Sequence, residues 1–271
     1  MLRREALASS RKIKRKRLTL KLSLYLLAII CLFSVFVSFF YIPKFKIKEI
    51  EINGISSDNK DKLSNKFSVV MVDKYLGIFP YNNIFIFPEG KLKADVLSEY
   101  PDIKEIDFKN FFPGKVLTTA SERDLFAVWC FKEGDCSFVD EDGFIFKSAP
   151  VFYGNIFLKF FDERRGSSSD GLDKGKQALD KNDFDKLVDF INFTASKNIL
   201  IYKIFIRDEG VYDLETILGW HILLNKENNP EEAFQNLRII LDSQIKEDYV
   251  DKIGYIDLRF GNKIFYKFND E

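Results

Sequence analysis

Two features between residues 130 and 143 could carry chemistry: a pair of cysteines and a cluster of acidic residues. Cys130 and Cys136 flank the stretch FKEGD, and the sequence DEDG follows from Asp140 to Gly143. Closely spaced carboxylates can bind a metal ion or transfer protons, and two cysteines that lie close together can form a disulfide bond. The neighbouring sequence decides between these uses.

The acidic cluster is predicted to form the turn of a β-hairpin. A calcium loop would continue its oxygen ligands at alternate positions and end with a glutamate, whereas Phe144, Ile145 and Phe146 follow here. Asp accepts local backbone N–H bonds and Gly adopts positive φ, and apolar residues lie on both sides of the cluster. Asp140 to Gly143 therefore suit a turn better than a metal or acid–base site.

The other candidate groups form no recognisable catalytic set. The chain has one histidine, His221, in the stretch GWHILLN, without a recognisable nucleophile or metal-ligand motif around it. We therefore expect a structural role for His221. Glu122 and Arg123 are adjacent charges, which we expect to be ion-paired or solvated rather than in contact with a partner. The sequence predicts neither an enzyme nor a bound cofactor.

The cysteine pair leaves two alternatives open. A three-residue hairpin loop, residues 132–134, would place Cys130 and Cys136 directly opposite each other, so that they could form a disulfide bond. Two reduced thiols in a packed hairpin are an equal alternative. Cys31 lies in an apolar stretch near the N-terminus and is interpreted as a small apolar side chain.

The N-terminal region predicts a membrane anchor. Residues 1–21 carry nine Lys or Arg and one Glu, and residues 22–42 are 21 consecutive residues without a charge. A helix of that length covers the roughly 30 Å hydrocarbon thickness of a bilayer. The basic excess predicts a cytoplasmic tail (1–21), a transmembrane helix (22–42) and an extracytoplasmic remainder. A cleaved signal peptide is the alternative, but the stretch is long for one and lacks a pair of small residues at its end.

The charge of the remainder argues against a nucleic-acid partner. The whole chain has 41 basic and 41 acidic residues, so subtracting the tail leaves 32 basic and 40 acidic side chains. Binding to phosphates would need a basic surface rather than a net negative one. The basic tail is better matched to anionic lipid headgroups.

The apolar pattern beyond the anchor predicts an α+β fold with two domains. Residues 44–121 predict the order strand, helix, helix, strand, strand. Residues 122–271 predict strands in succession with two flanking helices, as in a mixed β-sheet domain. The last helix has the clearest start, with Asn229 as N-cap, Pro230 at the first helical position and Glu232 at the third.

Several short motifs follow one another in a recognisable order between residues 45 and 260: FKIKEIEINGI, YPDIKEIDFKNFFPGKV, ASERDLFAVW, FVDEDGFIF, LGWHILL and YIDLRF. Together with the basic tail and the single span, this order resembles the FtsQ/DivIB cell-division family over nearly the whole chain. Leu125 departs from the pattern, because the family often has proline there. The resemblance implies a POTRA domain over residues 44–121 and a β domain over residues 122–271.

The resemblance also implies a function. Members of that family are non-enzymatic scaffolds of the division machinery, anchored in the inner membrane at the septum. The implied partners are FtsB/DivIC-like and FtsL-like division proteins in addition to the lipid bilayer, with no cofactor, nucleic acid or small-molecule substrate. Two other classes stay open: another membrane-anchored, POTRA-containing envelope assembly or secretion factor, which would lack the YIDLRF hairpin, and an anchored hydrolase.

The last two strands are predicted to form a hairpin around Gly261 and Asn262. A two-residue turn would place Arg259 opposite Ile264, Asp257 opposite Tyr266 and Leu258 opposite Phe265. The face predicted to pack into the domain carries Ile256, Leu258, Phe260 and Phe265. The face predicted to be exposed carries Arg259, Ile264 and Tyr266, a mixture typical of interface anchors.

This hairpin is the candidate partner-binding site. A late strand at a sheet edge has unpaired N–H and C=O groups, which a partner strand can satisfy by β-augmentation. By the resemblance, Arg259 and Phe260 match an Arg–aromatic pair in the family's partner-binding segment. The predicted partner-binding residues are Arg259, Phe260, Ile264, Tyr266 and Phe268. The alternative is a closed edge strand with scattered surface aromatics.

Overall fold

The chain folds as a mixed α and β protein with one N-terminal helix of membrane-spanning length and a large sheet. The computed structural model describes residues 2–132, 135–150, 152, 154–164, 174–243, 245, 247–261 and 263–269. The contacts within the chain divide it into two units. Unit 1 comprises Met1–Leu97 and Glu105–Ser121, and unit 2 comprises Ser98–Lys104 and Glu122–Glu271.

The first helix, α1, extends over Leu2–Phe39. Its segment Lys16–Phe39 is long and apolar enough to cross a membrane. The helix ends three residues before the predicted end of the span at Ile42, which has extended backbone with ψ of 125°. Pro43 explains this ending, because a proline ring disfavours the helical conformation of the residue before it.

The rest of unit 1 has the predicted order of strand, helix, helix, strand, strand, with a short hairpin between the two helices that the sequence did not predict. A three-stranded sheet has the order β1-β5-β4, with β1 parallel to β5, while β2 pairs with β3. The elements are β1 (Glu49–Asn53), α2 (Ser57–Val72), β2 (Lys74–Tyr75), β3 (Phe79–Pro80), α3 (Glu89–Glu99), β4 (Ile103–Phe111) and β5 (Lys115–Glu122).

Apolar residues at helical spacing form the core of unit 1. Leu63 and Phe67 of α2 are buried, as are Leu92 and Val96 of α3. Spacings of four residues place each pair on one face of its helix, and Val116 of the sheet is buried as well. Full burial of such side chains stabilises the fold by about 1.5–3 kcal/mol each.

Unit 2 contains a ten-stranded sheet, within the described residues, and two helices. The sheet order is β10-β8-β7-β6-β9-β11-β12-β13-β14-β15. The elements are β6 (Ala127–Lys132), β7 (Asp135–Val139), β8 (Phe144–Ala149), β9 (Lys159–Asp162), β10 (Lys176–Gln177), α4 (Lys181–Ala195), β11 (Ile201–Arg207), β12 (Val211–Thr216), β13 (His221–Asn225), α5 (Pro230–Ser243), β14 (Ile253–Phe260) and β15 (Lys263–Phe268).

Both helices contribute to the apolar core of unit 2. The predicted start of α5 is confirmed, because Asn229 Oδ1 accepts a hydrogen bond from the backbone N–H of Glu232 at 3.1 Å. The strongly apolar faces of α4 and α5 pack with one side of the sheet in a single cluster. Its largest fully buried members are Trp129, Phe160, Phe184, Phe190 and Trp220.

Candidate partner-binding site at the sheet edge

The strand β15 forms one edge of the large sheet. In the part of the chain that the structure describes, it pairs with β14 alone, and the pairing is antiparallel. An edge strand presents unpaired N–H and C=O groups on its outer side. The sequence prediction of a terminal hairpin at a sheet edge is therefore confirmed as architecture.

The predicted register of this hairpin is wrong over most of its length. Phe260 lies opposite Lys263, as a two-residue turn requires, and Gly261 has a φ of 64°. Beyond a bulge, however, Asp257 lies opposite Phe265 rather than Tyr266. Asn262 lies outside the described residues, so the turn type is not assigned.

The bulge has a local cause at Leu258 and Arg259. The Asn228 side chain donates to the carbonyl of Leu258, and the Asn225 side chain donates to the carbonyl of Arg259, both at 3.1 Å. The N–H of Arg259 donates to Asp257 Oδ1. Because side chains take these backbone groups, the ladder is interrupted and its register shifts by one residue.

The exposure of the hairpin also differs from the prediction. Ile256 and Leu258 are buried in the core as expected. Phe260 and Phe265 were expected inside, but they are 54% and 52% exposed, with ring centroids 5.5 Å apart. The register shift explains the change for Phe265, since it now shares a face with Asp257 instead of with Leu258.

Arg259 lies beside this aromatic pair. Its Nε and Nη2 donate to the two carboxylate oxygens of Asp257 at 2.9 and 2.7 Å, and its guanidinium carbon is 5.5 Å from the Phe260 ring centroid. The hydrogen bonds to Asp257 raise the pKa of Arg259 above its ordinary value. The pair holds Arg259 in one orientation at the surface.

The three other predicted residues lie on β15 and are not equivalent. Ile264 and Phe268 are half-buried and pack against the core of unit 2, which is a correction to the exposed position predicted for Ile264. Tyr266 remains exposed, and its ring is 5.6 Å from that of Phe268. The structure thus separates the five residues into three surface groups, Arg259, Phe260 and Tyr266, and two that support the strand.

We name the exposed Phe260, Phe265 and Tyr266, together with the partly exposed Arg259, the edge cluster. It combines a fixed cation with three aromatic rings at the outer edge of the sheet. Aromatic and arginine side chains are enriched at interface hot spots, and an open edge accepts a strand from another protein. The sequence did not predict that Phe265 is exposed. The ion pair of Asp257 and Arg259 could have been predicted, because residues two apart on a strand lie on the same face.

The acidic cluster is the predicted turn between β7 and β8. Asp140 is buried, and its Oδ1 accepts the N–H groups of Asp142 and Phe144 at 3.0 and 2.9 Å. Its Oδ2 is 2.5 Å from Nη1 of Arg123, which confirms the expected ion pairing of Arg123. Gly143 has a φ of 77°, as the turn prediction required. The link between Arg123 and Asp140, distant in sequence, was not predicted.

Cys130 and Cys136 lie opposite each other on β6 and β7 and form a disulfide bond in the structure. The predicted three-residue loop is wrong, because Lys132 belongs to β6 and pairs with Asp135. Residues 133 and 134 lie outside the described residues. The bond links two interior strands of the sheet and does not involve the edge cluster.

His221 is part of a polar group formed by side chains of β11, β12 and β13. Its Nδ1 is 2.7 Å from Oδ1 of Asp213, and the other oxygen of Asp213 accepts from Nη2 of Arg207 at 2.6 Å. No set of three or more His, Cys, Asp or Glu side chains arranged to bind a metal occurs among the residues with a described position. The structural role of His221 remains a prediction.

No known family model matches this chain, and no curated protein matches it either.

Proposed function

We propose that this protein is a non-enzymatic scaffold of the bacterial cell-division machinery, held in the cell membrane by α1 and similar to the FtsQ/DivIB family. Its N-terminus is cytoplasmic, its two units lie outside the cytoplasm, and it is located at the division septum. The POTRA-like order of unit 1 and the motifs of unit 2 support this proposal by resemblance.

The observation that carries the proposal is the edge cluster on an open strand. Within the described chain, β15 ends the sheet without a neighbour on its outer side, and three exposed aromatic side chains and the partly exposed Arg259 flank that edge. We propose that a strand of an FtsB/DivIC-like protein pairs with β15, while its side chains contact Phe260, Phe265 and Tyr266. An FtsL-like protein would bind together with it.

A binding experiment with two matched variants tests this. The full chain in lipid nanodiscs is titrated with the FtsB/DivIC-like and FtsL-like proteins of the same organism. Arg259→Glu should weaken binding by at least about tenfold, because it reverses the charge beside two interface aromatics. Arg207→Glu is the control, since Arg207 also pairs with a buried aspartate, at 2.6 Å, but lies on an interior strand.

An equal loss of binding affinity in both variants would indicate a general effect of replacing an arginine, and it would contradict an interface at Arg259. If the parent chain bound neither protein, the division proposal would be contradicted. The alternative would then be another membrane-anchored envelope assembly or secretion factor.

A further inference from the structure

The C-terminal end of α1 packs directly into aromatic side chains of unit 1. The ring centroids of Phe36 and Phe40 are 6.4 and 5.3 Å from that of Phe79, and the ring of Phe39 stacks 6.2 Å from Phe85. The β2–β3 hairpin and the segment after it therefore surround the last turn of the helix.

Two polar contacts fix the same junction. The Tyr41 hydroxyl donates to the carbonyl of Ile78 at 2.6 Å, and the Asn83 side chain donates to the carbonyl of Phe40 at 2.8 Å. Asn83 is fully buried, and its side-chain amide pairs the Phe40 carbonyl at the end of the helix, where carbonyls have no partner within the helix. The end of α1 is thus built into unit 1 rather than joined to it by a free linker.

The uncharged run of the sequence places this junction at the depth of a bilayer surface. Phe36 lies three residues before the end of α1, or about 4.5 Å along the helix, and the first charge beyond the run is Lys44. The polar layer on each side of the hydrocarbon is about 5–7 Å thick. When α1 spans a bilayer, the parts of unit 1 that touch Phe36 and Phe40 lie within that layer.

Apolar side chains surround the junction and remain exposed. We name Leu76, Ile78, Phe85 and Phe112 the membrane-proximal rim. Phe85 and Phe112 both contact the ring of Phe45, at centroid distances of 5.2 and 6.1 Å. All four are classed among the exposed large apolar residues of the chain, and their clustering at one end of unit 1 distinguishes them from scattered surface residues.

Leu76 is the most informative member of the rim. It lies at the tip of the β2–β3 hairpin, is 73% exposed, and has a φ of 51°. The left-handed conformation costs a residue with a Cβ about 1–2 kcal/mol, and glycine or asparagine is the usual choice there. Since Leu76 is not buried within the protein, its apolar side chain is available for a contact outside the protein.

Basic residues adjoin the rim, as expected for a surface that meets lipid headgroups. Lys44 and Lys46 are exposed immediately after the span, and Nζ of Lys74 lies 5.8 Å from the ring centroid of Tyr41. Lysine next to interfacial aromatic residues is the usual arrangement where a protein leaves the hydrocarbon layer.

We propose that the membrane-proximal rim inserts into the lipid interface on the side where α1 leaves the bilayer, so that unit 1 lies against the membrane surface. The occupant of the rim is the bilayer in which α1 is embedded. This inference rests on the membrane anchor of the proposed function, but not on the partner-binding role of the edge cluster.

Spin labels on the full chain test this inference. Labels are attached at Leu76→Cys, Phe85→Cys and, as control, Asp61→Cys on the exposed side of α2, each in a Cys31→Ser background. The chains are placed in nanodiscs of phosphatidylcholine with a minority of phosphatidylglycerol. The background without a new cysteine is the blank, and the parent chain labelled at Cys31 reports on the span.

The expected result is a ratio of oxygen to water-soluble nickel accessibility several-fold higher at Leu76 and Phe85 than at Asp61. Equal nickel accessibility at all three positions would overturn the inference. Shielding of the rim labels from both reagents would also overturn it, because protein rather than lipid would then cover the rim. If the label at Cys31 shows the accessibility expected in hydrocarbon in either of these cases, the membrane anchor is supported and only the insertion of the rim is contradicted. If the label at Cys31 does not show this accessibility, both the membrane anchor and the insertion of the rim are contradicted.

Discussion

Two regions of unit 2 use the same Arg–Asp chemistry in different surroundings. In the β7–β8 turn, Arg123 and Asp140 side chains are 14% and 2% exposed, whereas Arg259 and Asp257 of the terminal hairpin are 31% and 7% exposed. Both aspartates are buried, but Arg123 is covered by protein on several sides and Arg259 is not. The difference lies in the arginine rather than in the carboxylate.

The surroundings of the two arginines explain what each can do. Arg123 also donates from Nε to the carbonyl of Pro101 at 3.0 Å, and its guanidinium lies 3.8 Å from the Phe144 ring centroid. Among the described contacts, the side chain of Arg259 forms hydrogen bonds only with Asp257. It also lies beside the exposed ring of Phe260. The first pair is enclosed by the protein, while the second leaves an oriented, partly exposed cation at the edge of the sheet.

The largest expected effect on stability follows from Arg123→Ala. The substitution leaves the buried Asp140 carboxylate without its cation, so we expect the free energy of unfolding to fall by about 3–4 kcal/mol. Urea unfolding of the full chain in detergent micelles, followed by tryptophan fluorescence, measures this, because Trp129 and Trp220, the only two tryptophans, are both buried in unit 2. A loss below about 1 kcal/mol would remove the distinction between the two pairs.

A second test measures how much the disulfide bond between β6 and β7, which the terminal hairpin lacks, contributes to stability. Replacing both Cys130 and Cys136 by alanine should reduce the free energy of unfolding by about 2 kcal/mol, since the bond closes a short loop in the unfolded chain. Intact mass before and after alkylation of the native protein checks the bond itself. Two freely alkylated thiols in that experiment would contradict it.

The smallest stability effect is expected for Arg259→Ala. The Asp257 carboxylate lies near the edge of the sheet, where water can replace the lost guanidinium, so we expect a loss of about 1 kcal/mol in the same urea experiment. Lys263→Ala, an exposed residue of β15, is the control and should change stability by less than about 0.5 kcal/mol. A loss for Arg259→Ala as large as for Arg123→Ala would make both pairs structural.

The sequence predicted the elements of both regions better than their tertiary contacts. Asp140 to Gly143 could be read as a turn because Asp and Gly have local roles there. The ion pair between Asp140 and Arg123 could not be predicted, since it depends on how segments distant in sequence pack together. In the same way, the composition of YIDLRF predicts a strand, but the side chains of Asn225 and Asn228, about thirty residues earlier in the chain, set its bulge.

The candidate site shows the same limit. Arg259, Phe260 and Tyr266 were predicted to be in the site; Phe260 and Tyr266 are exposed, and Arg259 is partly exposed. Phe265 was assigned to the interior because alternation along a strand gives the face of a residue only when the register is regular. One bulge between Asp257 and Phe260 was enough to reverse the prediction for Phe265.

Hydrogen–deuterium exchange tests the central claim, that β15 is the open edge that receives a partner strand. The exchange of the full chain in nanodiscs is compared with and without the FtsB/DivIC-like protein. We expect slower exchange at the backbone amides of Lys263–Phe268 and no change at β10, which forms the opposite edge of the same sheet. Unchanged exchange in β15 under conditions where the partner is bound would contradict the account.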